Sequence, residues 1–418
     1  MKKIRKRAKI VNDQTLLGTV DIGKEKNVGY MRTPDGHELM PFEFCNNIRG
    51  FEKFYHSLQW TKTKHGLRHV VVAFESTGPY GEPLLHYLKN KNIKLVQVNT
   101  MHTKRLKELC DNSPNKTDKK DPRVIADIVE LGHVLSVVIP EGVAAELRSL
   151  IHARERLIDK RNVTINQLYD QVHIIFPEFE QVMKNFTSKS AQYLLKKHPT
   201  PEKIIELGLE ALTTTLRKVS RGKIKSERAQ ALYQGAQESV GVKQGQASIA
   251  DEITDLLDVI SLVNEKISNK EKKISIELTK IPESKPLLAI PGIGEITVAG
   301  TLGEVAKFED FSKIAEIEKF AGLNLFEISS GKHRGQRRIS KRGRHLLRKI
   351  LFFATLNTIR KGGIFHDKYQ SYLDRGMLKK KAVVAISRKL LRVMFAIMRD
   401  HKEFDITYVK LSEISKAA

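Results

Sequence analysis

The sequence predicts an α/β domain at the N-terminus, a region of long helices in the middle and a mainly α domain at the C-terminus. Three observations carry this expectation. Short apolar runs punctuated by turn residues fill the first hundred positions. After about residue 144, apolar residues recur instead at three- and four-residue steps. From about residue 286 a compact stretch opens on Ile290-Pro291-Gly292-Ile293-Gly294. Continuous or alternating short runs belong to strands, and a 3.6-residue period belongs to helices. A chain of 418 residues is long enough for two or three domains. The expected boundaries are 1–143, 144–284 and 285–402, with a tail at 403–418.

Within the first domain, residues 16–22 form a short apolar run ending in Asp21, Ile22 and Gly23. Residues 28–32 and 39–44 flank Pro34-Asp35-Gly36, a strong turn signal, so three strands in a meander are expected. Residues 51–58 read as helix. Residues 69–76 contain Val70, Val71, Val72, Ala73 and Phe74, the continuous run of a strand buried on both faces. A helix over 81–91 leads to a strand over 93–98, and a further helix starts near Pro122. Three antiparallel strands followed by α/β units is the order of an RNase H-like fold.

In the middle region, residues 145–175 and 247–281 are the two long helical stretches, and Pro177 ends the first. Ile249, Ile253, Leu256, Leu257, Ile260, Val263 and Ile267 form a stripe suited to a coiled coil or helical hairpin. Residues 217–228 are basic and read as irregular. The N-terminal run Lys2 to Lys9 reads as a tail rather than a DNA-binding arm.

Composition narrows the class. Hydrophobic residues make up 40% of the chain, enough for ordinary cores. No run of about eighteen apolar residues occurs and no apolar leader core opens the chain, so a cytoplasmic protein without a membrane partner is expected. Cys45 and Cys110 are far apart and form no C-x-x-C pair, which argues against a disulfide framework or a cysteine zinc site. The formal net charge is +25, a field that draws polyanions, above all nucleic acid. A ribosomal or chromatin-like binder would fit the charge equally well.

Acidic residues give the sharper signal. Asp21 closes the first strand, Glu75 ends the central apolar strand, and Asp118 and Asp121 precede the helix at Pro122. In an RNase H-like order these positions converge on one edge of the sheet. Four converging carboxylates repel one another unless cations hold them. Hard oxygen ligands suit Mg²⁺, with Mn²⁺ as a substitute, and such a centre serves phosphoryl transfer on nucleic acid. Singly, each acid has a plainer role. Asp121 can be a helix N-cap, Asp118 a solvated loop acid and Asp21 a turn residue. Glu75 resists such a role, because a carboxylate closing an apolar strand is costly to bury without a partner. Asp127 and Glu130 read as solvated positions of the following helix.

At the C-terminal end, Gly292 and Gly294 suit the hairpin of a helix-hairpin-helix, where backbone amides approach a DNA phosphate. An ordinary glycine turn is the plain alternative. Further on, Lys332, Arg334, Arg337, Arg338, Lys341, Arg342 and Arg344 form a basic stretch in which no acid occurs between Glu327 and Asp367. Such a stretch attracts a DNA backbone and lowers the cost of an alkoxide at Ser330. A serine before glycine is also common in ordinary turns.

Taken together, Thr19-Val20-Asp21-Ile22-Gly23-Lys24, Phe74-Glu75-Ser76-Thr77-Gly78 and Asn115 through Ala126 resemble the DEDD transposases of insertion sequences. The C-terminal blocks Pro291-Gly292-Ile293-Gly294, Ala321-Gly322-Leu323, Ser330-Gly331-Lys332, Ile339-Ser340-Lys341-Arg342-Gly343 and Leu347-Arg348 extend the resemblance over nearly the whole chain. It implies a RuvC-like first domain, a coiled coil and a serine transposase domain. Asp21, Glu75, Asp118 and Asp121 then hold Mg²⁺, and Ser330 attacks DNA and becomes linked to phosphate, with Ser329 adjacent. The resemblance further implies a structured guide RNA encoded by the element. It also implies a homo-oligomer, dimer or tetramer, in which one subunit's RuvC-like domain meets another's serine domain. Pro122 departs from the family, where a small residue usually follows the last Asp, and this places Asp121 at the helix cap.

Three other readings compete with a transposase. A site-specific DNA invertase resembles the same motifs and differs in its substrate. A RuvC-like junction nuclease would use water instead of Ser330. A basic nucleic-acid binder would keep the acids only as structure, yet acids grouped beside phosphate weaken such binding.

Overall fold

The computed structural model describes residues 11–75, 78–111, 121–327, 335 and 337–405. The run Lys2 to Lys9 and residues 406–418 lie outside the described residues. The chain divides into two compact units, Met1–Ile139 and Pro140–Ala418.

In the first unit, β1 (Thr15–Asp21), β2 (Lys26–Arg32) and β3 (Glu38–Cys45) form an antiparallel meander. The continuous apolar run becomes β4 (His69–Glu75), which pairs in parallel with β1 and with β5 (Lys94–Val98). A three-residue strand, β6 (Val134–Ser136), pairs antiparallel to β5 and gives a six-stranded sheet ordered β3-β2-β1-β4-β5-β6. The element order through β5 is the one the sequence predicts; β6 is too short to show a period.

Alternation along β4 explains why it is apolar throughout. Val70, Val72 and Phe74 join Leu16 and Val20 against Phe51, Phe54 and Leu58 of α1 (Ile48–Lys64). Leu84, Leu85 and Leu88 of α2 (Glu82–Asn90) complete that layer. Val71 and Ala73 face the other way, with Leu17, Val96 and Val98. After α3 (Thr100–Asp111), α4 (Asp121–Glu130) covers this second face with Val124, Ile125, Ile128 and Val129. The sheet is therefore packed on both sides.

The second unit is built on α5 (Gly142–Ile175) and α11 (Gln246–Thr279), each of 34 residues and about 50 Å long at 1.5 Å per residue. Arg154 pairs with Glu271 and Arg161 with Asn264, so one number falls as the other rises and the helices run antiparallel. Between them lie α6 (Pro177–Val182), α7 (Lys189–Lys197), α8 (Pro201–Leu207), α9 (Leu209–Val219) and α10 (Ser226–Gln237). The basic stretch 217–228, expected to be irregular, is helical at both ends: Arg217 lies in α9 and Arg228 in α10. Leu212, Leu216, Ala229 and Leu232 bury one face of this pair against Leu168 and Val172, and that burial outweighs the local charge.

The remainder comprises α12 (Ser284–Leu288), α13 (Glu295–Val305), α14 (Ile314–Phe320), β7 (Leu325–Phe326), β8 (Arg338–Ile339), α15 (His345–Thr358), α16 (His366–Asp374) and α17 (Lys379–Asp400). The short β7–β8 ribbon is an addition to the helical stretch expected from sequence. Among the described residues, no helix is long and apolar enough to cross a membrane.

Candidate active site

The parallel register of β1 and β4 runs to Val20 opposite Phe74, and the next residues on the two adjacent strands are Asp21 and Glu75. Side chains alternate along a strand, so Asp21 shares a face with Leu17 and Thr19, and Glu75 with Val71 and Ala73. That is the face covered by α4, whose first residue is the buried Asp121. The Thr19 hydroxyl donates to the Pro122 carbonyl at 2.6 Å and fastens the start of α4 to β1. Asp21, Glu75 and Asp121 thus lie at the ends of β1 and β4 and at the start of the helix that covers the same face. The fourth, Asp118, lies outside the described residues. Among the described residues no group of three or more His, Cys, Asp or Glu is close enough to hold a metal ion. Carboxylate oxygens are the hard donors that a divalent cation such as Mg²⁺ takes, so these residue types would suit one.

Two asparagines that the sequence reading passed over hold the loops beside these acids. The Asn27 side chain accepts from the Gly23 amide at 3.1 Å and donates to Asn46 at 3.2 Å. Asn46 donates to the Gly23 carbonyl at 3.3 Å and to the Tyr80 carbonyl at 3.1 Å. Asn46 therefore joins the loop that follows Asp21 to the turn that follows Glu75. Close approach is built in as well. A Cβ at Gly23 would lie 2.2 Å from the Lys26 carbonyl oxygen, and one at Gly81 would lie 2.8 Å from the Ile22 side chain.

Asp127 and Glu130 are partly exposed, in keeping with their expected place on a solvated helix face, and they also meet Arg32 of β2 at 2.7 and 3.1 Å. Arg32 also pairs with Glu38 at 2.7 Å. Burial pushes the neighbouring Tyr30 phenol up to about 12. These groups brace α4 on the meander and leave the acidic edge to Asp21, Glu75 and Asp121.

In the second unit, Gly292 has φ +87° in the turn between α12 and α13, and Gly294 caps α13. A Cβ at Gly294 would meet nothing within 4 Å, so the approach to this backbone is open. Glu295 in the first turn opposes an anion there. Ser329, Ser330, Lys332 and Arg334 lie outside the described residues. At the described ends of that segment, Arg337 pairs with Glu327 at 2.9 Å. Arg338, Lys341 and Arg342 are exposed, and Arg344 sits over the Phe320 ring at 5.4 Å. The separate C-terminal blocks meet in space. The Lys341 amide donates to Gly322 at 3.0 Å, the Arg344 amide to Phe320 at 2.8 Å, and the Arg348 guanidinium to Ala321 at 3.0 Å.

Beside Arg344 lies a buried carboxylate that the sequence reading did not single out. Glu304 of α13 is 2% exposed and accepts from His152 at 2.6 Å, with Arg148 and Arg344 each at 3.8 Å. Burial alone would raise its carboxyl, but the His152 hydrogen bond and the Arg344 and Arg148 charges outweigh it and hold the group below its ordinary 4.5. A second such acid, Glu318, is paired with Arg388 and Arg392 at 2.9 and 2.6 Å. Also missed was a cavity of about 530 Å³ at α5 and α11, into which Arg156, Lys160, Lys266, Lys270 and Lys273 converge. Cations gathered from two antiparallel helices make a surface suited to a phosphate backbone.

Comparison with known proteins bears on both units. Residues 19–177 match a family model described as "Transposase", and residues 284–370 match one described as "Transposase IS116/IS110/IS902 family". The first interval contains the four acids and the second contains Gly292, Gly294, Ser330 and the basic stretch. An uncharacterized protein of insertion element IS110 from Streptomyces coelicolor is 23% identical over 387 residues, covering 91% of this chain and 93% of its own. That of insertion element IS116 from Streptomyces clavuligerus is 25% identical over 292 residues, 69% of this chain and 72% of its own. A pilin gene-inverting protein of Moraxella bovis is 30% identical over 121 residues, 28% of this chain and 38% of its own.

Proposed function

The chain belongs to the IS116/IS110/IS902 family of transposases, enzymes that cleave and rejoin DNA, and we propose that it moves an insertion sequence through a carboxylate site and a serine nucleophile. The observation that supports this reading is the β1–β4 register, whose last pair, Val20 and Phe74, directly precedes Asp21 and Glu75, with Asp121 opening the helix on the same face. In this reading the first unit is RNase H-like and Asp118 supplies the fourth acid. The domains follow the divisions 1–143, 144–284 and 285–402, with the two long helices as the coiled coil.

Asp21, Glu75, Asp118 and Asp121 would hold Mg²⁺ or Mn²⁺, which when bound polarises a phosphate oxygen and offsets charge developing in the transition state. Asn46 and Thr19 orient the acids by fixing the loops and the helix that carry them. Ser330 Oγ adds to phosphorus as a deoxyribose oxygen leaves, and its proton departs to solvent or a base. One P–O bond forms as another breaks, so a DNA hydroxyl can later reverse the step and rejoin the strand. The basic stretch through Arg344 holds the DNA backbone beside Ser330. A guide RNA and a homo-oligomer with a shared site belong to the same proposal, and the net charge of +25 suits the RNA partner.

DNA inversion is the second reading, favoured by the similarity to the Moraxella protein. The outcome on DNA flanking the element, insertion or excision against inversion, separates the two. The test of the carboxylate site is cleavage of element-end DNA with and without Mg²⁺. Asp21→Ala and Glu75→Ala are expected to abolish cleavage and leave DNA binding largely intact. An equal loss of both would assign these acids to the fold alone.

A further inference from the structure

At the opposite end of the same strands lies a cavity of about 440 Å³ that the carboxylate site does not use. Lys62 comes to it from α1, His69 opens β4 with Arg68 just before it, Lys91 follows the end of α2, and Lys94 opens β5. Asn12, Thr15, Gln59 and Asn92 supply further polar groups, and no acidic residue lines it. Among the described residues, none of the five basic side chains makes an ion pair. Lys91 is positioned without a carboxylate, its ammonium lying 5.5 Å from the centre of the Tyr55 ring and 5.8 Å from that of Tyr87. Its charge is thus ordered but not neutralised.

A concave basic surface has a different effect from scattered lysines. Low-dielectric walls focus the field of several like charges into one volume, which raises the local concentration of an anion. With no acid in the lining, an anionic ligand is the natural complement of this surface. Thr15 and Asp21 stand at opposite ends of β1, six steps apart and so about 20 Å at 3.3 Å per residue. One phosphate cannot touch both ends.

We infer that this cavity is a second binding site for a polynucleotide phosphate backbone, separate from the segment that is cut. Its ligand is a run of phosphodiesters, which DNA and RNA both present.

The test uses the full-length protein in EDTA, so that binding is read without cleavage and stands apart from the fate of the carboxylate reading. Lys62→Gln/Arg68→Gln/Lys94→Gln is compared with Lys189→Gln/Lys203→Gln/Lys243→Gln, which removes equal charge from exposed positions in the second unit. The probes are single-stranded RNA, single-stranded DNA and duplex DNA of one sequence, titrated across salt concentrations. The cavity variant is expected to bind at least one probe about tenfold more weakly than the control variant, with a salt slope shallower by about two to three. The probe that loses affinity identifies the backbone the cavity holds. Equal binding of all probes by the two variants would overturn the inference and leave the cavity as solvated basic surface. Should the triple variant unfold, Arg68→Gln alone is read the same way.

Discussion

The Thr19 hydroxyl donates to the Pro122 carbonyl at 2.6 Å in a fully buried position, tying the strand that carries Asp21 to the helix that begins with Asp121. Thr19→Val keeps the shape and removes the donor, while the Pro122 carbonyl stays within the first turn of α4. A loss of about 0.5–1.5 kcal/mol is expected on denaturant unfolding. Cleavage should fall further than DNA affinity, because the bond positions a carboxylate rather than a cation. Wild-type cleavage by this variant would show that the position of Asp121 does not depend on the bond.

Asn46 bridges the loops after Asp21 and Glu75. Asn46→Ala should leave the core intact, since the residue is only half buried. If those loops orient metal ligands, the Mg²⁺ concentration for half-maximal cleavage rises by about ten- to a hundredfold, the range for partners of metal ligands. A Mg²⁺ titration that overlays the wild-type curve would remove Asn46 from the site.

Glu304 links stability to pH. Its carboxyl is held below the ordinary 4.5 in the folded protein, so its ionised form stabilises the fold above that value. The stabilisation is lost as pH falls from the ordinary value through the folded one. Glu304→Gln should therefore cost about 1–3 kcal/mol at neutral pH, and the gap to wild type should narrow on acidification. Denaturant midpoints for both proteins across the acid range measure this; a gap that stays constant would mean that the ion cluster contributes no pH-dependent stability.

Gly343 (φ +153°) packs against the neighbouring backbone, where an added Cβ would stand 2.3 Å from the Phe320 carbonyl oxygen. Gly36 (φ +86°) has nothing within 4 Å of an added Cβ. Gly36→Ala should cost about 1 kcal/mol from backbone strain alone. Gly343→Ala should cost clearly more, because Phe320 must move as well. Equal thermal shifts for the two variants would contradict the close packing of the blocks around Ser340.

What could be read from the chain follows from the range of each interaction. The run Val70 to Phe74 announces β4 because burial on both faces requires apolar residues at every position, and Asp21 and Glu75 stand out as charges closing such strands. The three-residue β6 and the helices α6 and α8, of six and seven residues, carry too few residues to show a period. Asn27 and Asn46 look like ordinary loop residues until the fold brings Gly23 and Tyr80 to them. Likewise, Arg32 reaches Asp127 across 95 positions and Glu304 reaches His152 across 152, distances over which a single sequence gives no pairing signal.

The central claim is that strand transfer passes through Ser330. The direct measurement is recovery of the protein under denaturing conditions from cells carrying the gene with its native flanking DNA, followed by assay for covalently attached DNA. The account predicts an adduct in the wild-type protein and none in Ser330→Ala. An adduct that persists in Ser330→Ala, or Asp21-dependent cleavage with no adduct in the wild type, would contradict it.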